Sequence, residues 1–194
     1  MKITPSFGKK LVGTCQIKSS NDEAQCCKIY ELTPQRDKFY FHKLKNNPNW
    51  QDNKYLGIMD GLMQSPAPST NSRAFCIEKD NECLGYVRTQ ENGDKTQIDY
   101  LETCPKYQTK NKQRNTQNIG QTLLAFIITL AKKDEKEEIR IPYPAKSAIP
   151  FYKKKFNFRT EDIGTKKLIL DEDKFDKALE KYNKNTGVNL ELKA

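Results

Sequence analysis

Histidine and tryptophan each occur once in this chain of 194 residues. A lone His42 excludes polyhistidine metal sites and leaves one imidazole for proton transfer. It stands in Phe39-Tyr40-Phe41-His42-Lys43-Leu44, an amphipathic stretch where a helix-surface position accounts for it. Long apolar runs are missing too, since none approaches the roughly 20 residues that cross a bilayer. The start, Met1-Lys2-Ile3-Thr4-Pro5-Ser6, lacks the apolar centre of a signal peptide. Cys15, Cys26, Cys27, Cys76, Cys83 and Cys104 never take the paired Cys-x-x-Cys spacing of a zinc site. Adjacent Cys26 and Cys27 face opposite sides of a strand, so all six are read as reduced, small apolar side chains. These absences lead us to expect a cytoplasmic protein with no metal and no membrane partner.

What is present suits one compact domain. About a third of the chain is apolar (36%), with nine Tyr and nine Phe, enough for a sizeable core despite a mean hydropathy of −0.87. Lys and Arg number 34 against 25 Asp and Glu, a net charge of +9. That excess favours polyanions. No zinc finger, RNP or helix-turn-helix pattern accompanies it, so a basic nucleic-acid-binding module is the alternative and not the first reading.

Alternation and turn residues predict two strands near 10–17 and 25–32. Helical spacing then predicts helices over 36–45 and 50–63, followed by a loop rich in Ser, Pro and Asn at 64–71. A three-strand meander follows at 73–78, 83–89 and 97–104, with Asn92-Gly93 marking a tight reversal. A basic connection, 106–117, leads to a helix over 119–133 that is apolar nearly all round and therefore buried. A strand at 138–142, a helix at 145–155 and a strand at 165–170 come next. Asp171-Glu172-Asp173 caps a terminal helix that Asn185 or Gly187 ends.

Two blocks in this order resemble a family. Ile98-Asp99-Tyr100-Leu101-Glu102-Thr103-Cys104-Pro105-Lys106-Tyr107, followed by Asn118-Ile119-Gly120-Gln121-Thr122-Leu123-Leu124, is similar to the central motif of the Gcn5-related N-acetyltransferases (GNAT). Ser147-Ala148-Ile149-Pro150-Phe151-Tyr152-Lys153-Lys154-Lys155-Phe156-Asn157-Phe158 resembles the family's later segment. Asn118 and Asn157 stand where the family has glycine, and Asn tolerates the left-handed backbone. The resemblance implies an α+β fold: a central mixed, mostly antiparallel sheet flanked by helices, with an N-terminal β extension and a C-terminal helix. We expect a single domain over 1–194, with an extension at 1–27, a core at 28–170 and a helical tail at 171–194.

The resemblance also implies an activity: acyl transfer from acetyl-CoA to a primary amine of unknown identity, small molecule or protein, by direct attack in a ternary complex. Independent physics supports a phosphate corner. A helix start exposes backbone N–H groups at Ile119, Gly120, Gln121 and Thr122, next to Asn118, and Gly120 allows close approach. Lys106, Lys110, Lys112 and Arg114 add positive charge. By resemblance, Leu101, Glu102 and Thr103 receive the thioester arm, Ser147 touches the cofactor and Tyr152 is the general acid. Asp99 and Glu102 are the candidate bases, expected on opposite faces of their strand. Cys104 suggests a covalent route, but without a neighbouring histidine direct attack is preferred. A catalytically idle GNAT-fold interaction protein is a further alternative.

Overall fold

The computed structural model describes residues 9–19, 24–32, 42, 46–51, 71–107, 116–162, 164–187 and 190–193. Two tight reversals organise its middle. β3 (Ser72–Lys79) and β4 (Glu82–Asn92) are joined through Asp80 and Asn81, both at positive φ (49° and 65°), as a two-residue hairpin turn requires. β4 and β5 (Lys95–Thr103) are joined through Gly93 and Asp94, with Gly93 at φ 60°. β1 (Lys9–Ser19) and β2 (Ala24–Leu32) form the hairpin expected near the start.

β6 (Thr116–Gln117), β7 (Glu138–Ile141), β8 (Arg159–Thr160), β9 (Leu168–Asp171) and β10 (Leu190–Leu192) complete a ten-stranded sheet. Its order is β10-β1-β2-β3-β4-β5-β7-β9-β8, with β6 also paired to β1. Among the described strands only β5 and β7 pair in parallel. The helices described in full are a short α1 (Pro48–Gln51), then α2 (Ile119–Lys133), α3 (Ile149–Phe156) and α4 (Phe175–Thr186). This is the mixed, mostly antiparallel sheet with flanking helices, N-terminal strand and C-terminal helix that the sequence leads one to expect.

α2 is buried on nearly every side, from Leu123 to Ile128 without interruption. Each such Leu, Ile or Phe contributes about 1.5–3 kcal/mol of hydrophobic stabilisation. The helix sits on the sheet where β4 has a glycine. A Cβ on Gly85 would lie 2.7 Å from Ile119 Cγ2 and 2.8 Å from Leu123 Cδ1. Gly85→Val is therefore expected to destabilise the fold by about 1–3 kcal/mol through overpacking. Urea unfolding measures this, and an unchanged midpoint would contradict the contact. On its other side α2 is covered by α4, which buries Phe175, Ala178 and Tyr182.

Several expectations need correction. β6, β8 and β10 lie outside the expected strands; all three are very short, β6 and β10 paired with β1 and β8 with β9. Residues 165–167 are not strand. Asp171 ends β9 and pairs with Arg159 at 2.7 and 2.8 Å, so it makes no side-chain cap; Gly187, at φ 61°, ends α4. The expected helices at 36–45 and 50–63 and the loop at 64–71 lie mostly outside the described residues. Exposed His42 and buried Trp50 are described. The cysteines are free, and all but Cys26 are buried.

Candidate active site

The site begins with an irregularity in β5. Opposite β4, Ile98 pairs with Thr89 and Tyr100 with Arg88, which leaves Asp99 as an extra residue, a β-bulge. The parallel ladder to β7 stops just before it, at Gln97 and Arg140. Past the bulge β5 stays on β4 as far as Thr103, while Ile141 of β7 pairs only with Leu168 of β9. The two parallel strands thus separate at the bulge.

Hydrogen-bond alternation shows which backbone groups look into the opening. Cys104 N–H donates to Leu84 O at 2.9 Å, so the pairs Glu102–Tyr86 and Tyr100–Arg88 also bond across to β4. Leu101 and Thr103, between them, turn their N–H and C=O toward the β7 side. Glu102 turns its backbone to β4, unlike the expectation that grouped the three.

The bulge also changes the faces. Leu101 and Thr103 lie opposite Val87 and Gly85 and face α2. Tyr100 and Glu102 face the other way. So does Asp99, two residues after Gln97, whose Nε2 donates to Asp99 Oδ1 at 2.6 Å. Asp99 and Glu102 therefore share a face, not the opposite faces an unbroken strand would give. Burial raises the Asp99 pKa, against the opposing effects of the Gln97 hydrogen bond and the Arg88 charge.

The N-terminus of α2 stands over the same end of β5. Asn118 takes the left-handed conformation (φ 68°, ψ 10°), and its Oδ1 accepts from Gln121 Nε2 at 3.1 Å. The first helical bond runs from Thr122 N–H to Asn118 O at 2.8 Å. Ile119, Gly120 and Gln121 thus present N–H groups with no acceptor inside the helix. Thr122 does not join them: its N–H is used, and its fully buried hydroxyl lies 3.1 Å from Tyr182 Oη. A Cβ on Gly120 would lie 3.2 Å from Thr103 Oγ1 and 3.8 Å from Leu101 Cδ2. The donor fan and the strand opening are therefore contiguous.

Tyr152 lies in α3, 6% exposed, edge-on to Phe151 at 5.1 Å and Phe158 at 5.7 Å. Burial, with the Glu102 charge adding to it, pushes its phenol up to about 12. Ser147 is exposed in the 3-10 turn Lys146–Ala148 that leads into α3. Cys104 is buried, donates to Asn49 O at 3.4 Å, and is pushed up to about 11 by burial, so it is a thiol at neutral pH.

A further cluster has no motif to announce it. Glu82 accepts from Tyr107 Oη at 3.0 Å and Asn49 Nδ2 at 3.1 Å, and pairs with Lys106 at 3.5 Å. It ties α1 and the turn Pro105–Tyr107 to the start of β4. Lys106, read from sequence as one of the phosphate-facing cations, is thus already engaged by an acid; Lys110, Lys112 and Arg114 lie outside the described residues. Tyr143, between Pro142 and Pro144 just past β7, is 91% exposed at the open end of the separated strands. Among the described residues no cluster of His, Cys, Asp or Glu could hold a metal, and no helix is long and apolar enough to cross a membrane.

A bulged strand parting from its parallel neighbour beside a bare helix start can be compared with known proteins. The model of the acetyltransferase (GNAT) family matches residues 36–158. The chain belongs to the GNAT family. Among curated proteins none matches it. Solved GNAT structures share its fold at low identity. A PaiA N-acetyltransferase from Thermoplasma acidophilum, in complex with coenzyme A, is 16% identical with a TM-score of 0.51, over 75% of this chain and 98% of that one. A spermidine/spermine N-acetyltransferase, SpeG, from Vibrio cholerae is 15% identical with a TM-score of 0.52, over 78% and 98%. A putative GNAT acetyltransferase from Desulfovibrio desulfuricans is 14% identical with a TM-score of 0.50, over 75% and 98%. In this GNAT chain the matched residues run from before α1 to Phe158, so β1, β2, β8, β9, α4 and β10 lie outside the match.

Proposed function

We propose that this GNAT protein is an acyl-CoA-dependent N-acyltransferase, with acetyl-CoA as donor and a primary amine as acceptor, both bound at once. The observation that carries the reading is the contiguity of the β5–β7 separation with the N-terminus of α2. Gly120 leaves room for a diphosphate against the N–H groups of Ile119, Gly120 and Gln121, beside Asn118, where the helix dipole adds positive potential. Leu101 and Thr103 offer backbone groups to the pantetheine arm and the thioester carbonyl, with Glu102 beside them. Ser147, exposed at the entrance to α3, is a further contact for the donor. The donor supplies an activated acyl group; the chain's own residues hold it and manage protons.

Tyr152 serves as acid in a restrained sense. At about 12 its proton is held more tightly than that of a thiol, near 8.5, so it hydrogen-bonds the sulfur as negative charge develops there. Asp99 and Glu102, on the same face, take the amine's proton directly or through water. Burial raises the Asp99 carboxyl, a shift in the direction that suits a base. Cys104, protonated and committed to Asn49, is left out, which favours direct attack by the amine.

The test is binding first. Isothermal titration and thermal unfolding with acetyl-CoA, CoA and short DNA or RNA are expected to show saturable binding and a raised Tm for the thioester and thiol only. DNA or RNA shifts without a CoA shift would replace this reading with the nucleic-acid one. An acceptor panel of amines, followed by release of free thiol, then separates an enzyme from an idle relative: CoA binding with no turnover of any amine class would favour the latter.

A further inference from the structure

We propose that Tyr182, in the C-terminal helix outside the matched GNAT residues, is a positioning residue for the phosphate corner and acts through Thr122. The inference rests on reading that corner as the seat of the coenzyme A diphosphate.

The two hydroxyls meet at 3.1 Å inside the core, Thr122 fully buried and Tyr182 1% exposed. Burying an unpartnered hydroxyl is costly, so each oxygen fixes the other. Thr122 is the residue whose N–H closes the first turn of α2 on Asn118 O. A shift of Thr122 therefore moves Asn118 and the N–H groups of Ile119, Gly120 and Gln121 as a unit. The neighbouring residue of α4 reaches the other way. Lys181 Nζ donates to Asn157 Oδ1 at 2.5 Å and to Lys154 O at 3.2 Å, at the end of the helix that carries Tyr152. Consecutive residues of α4 thus hold the start of α2 and the end of α3. Thr186 steadies the tyrosine in turn: its Oγ1 donates to Tyr182 O at 2.8 Å, and its side chain also hydrogen-bonds the phenol, which holds the ring against Thr122.

Such a contact does more than stabilise. Donors that grip an anion lose strength steeply when misaligned, even where the fold persists. Removing either hydroxyl lets the first turn relax, and the cost appears in diphosphate affinity.

The test is CoA titration, well below the melting temperature, of the wild type, Tyr182→Phe, Thr122→Val and the double variant. Ile169→Val, a core truncation in β9, serves as a control that loosens the fold away from α2. Each single variant is expected to raise the Kd for CoA about 5- to 10-fold, and the double variant no further, because both remove one interaction. The control lowers Tm and leaves Kd unchanged. The inference is overturned if the single variants bind within twofold of wild type, if their losses multiply in the double variant, or if the control weakens binding as much as they do. Absence of CoA binding by the wild type is a separate result: it removes the acyltransferase reading itself.

Discussion

Gly120→Val is expected to weaken CoA binding by on the order of 100-fold or more while leaving the protein folded. The corner offers a diphosphate three backbone donors, and hydrogen bonds to a charged group are worth about 1.5–3 kcal/mol each. Losing two of them exceeds the roughly 2.8 kcal/mol that corresponds to 100-fold. The Cβ itself is tolerable: at 3.2 Å from Thr103 Oγ1 it asks that side chain to move by a few tenths of an ångström. The two added methyls then occupy the space a phosphate would need. Gly120→Ala is expected to show an intermediate loss. Titration calorimetry with CoA reads the effect, and circular dichroism with thermal unfolding verifies the fold. Equal affinities for wild type and Gly120→Val would dissolve the proposed cradle, since no other described glycine stands at that helix start.

Tyr152→Phe is expected to lower kcat about 100-fold and to leave the Kd for CoA within a factor of two. The ring keeps its contacts with Phe151 and Phe158, so only the hydroxyl is lost. Acid–base groups contribute about 10²–10⁴-fold, and this one sits toward the low end because its pKa lies far above that of a thiol. The pH dependence follows with a definite sign. The active form is the protonated phenol, and its pKa is raised, so the active form persists to higher pH than an ordinary tyrosine allows. Wild-type activity should show no loss assignable to this group near pH 10, where an unperturbed tyrosine titrates; its loss belongs near about 12. Free-thiol release with the best amine of the acceptor panel measures both. A variant as fast as wild type would take Tyr152 out of the reaction.

Much of this architecture is written in local pattern. α2 is apolar on nearly every side, as a buried helix is, and its start, Asn118 and Gly120, follows from where that pattern begins. The two hairpins around β4 follow from Asp80-Asn81 and from Asn92-Gly93-Asp94. Tyr152 follows from the resemblance of the segment 147–158 to the GNAT family's later motif. What stayed hidden depends on partners far away in sequence. Glu82 gathers Asn49, Lys106 and Tyr107, and nothing local to any of the four marks the meeting. β6 and β10 are too short to carry a period and form only because β1 offers them an edge. Counting along the helix start makes Thr122 a phosphate donor. Its phase among Leu123, Leu124 and Phe126 already pointed inward, and its N–H belonged to the first helical bond. The shared face of Asp99 and Glu102 was missed because a bulge leaves no residue signature; any side chain can be the extra one.

That last feature makes the site depend on arithmetic more than on chemistry. Deleting Asp99 would bring Ile98 and Tyr100 into unbroken succession opposite Thr89 and Arg88, so the bulge would vanish while Leu101, Glu102 and Thr103 keep their partners on β4. The straightened strand would then be free to continue its ladder on β7. Exchanging Asp99 for another side chain costs a hydrogen bond with Gln97 and one of the two proposed bases, whereas omitting it would seal the cleft.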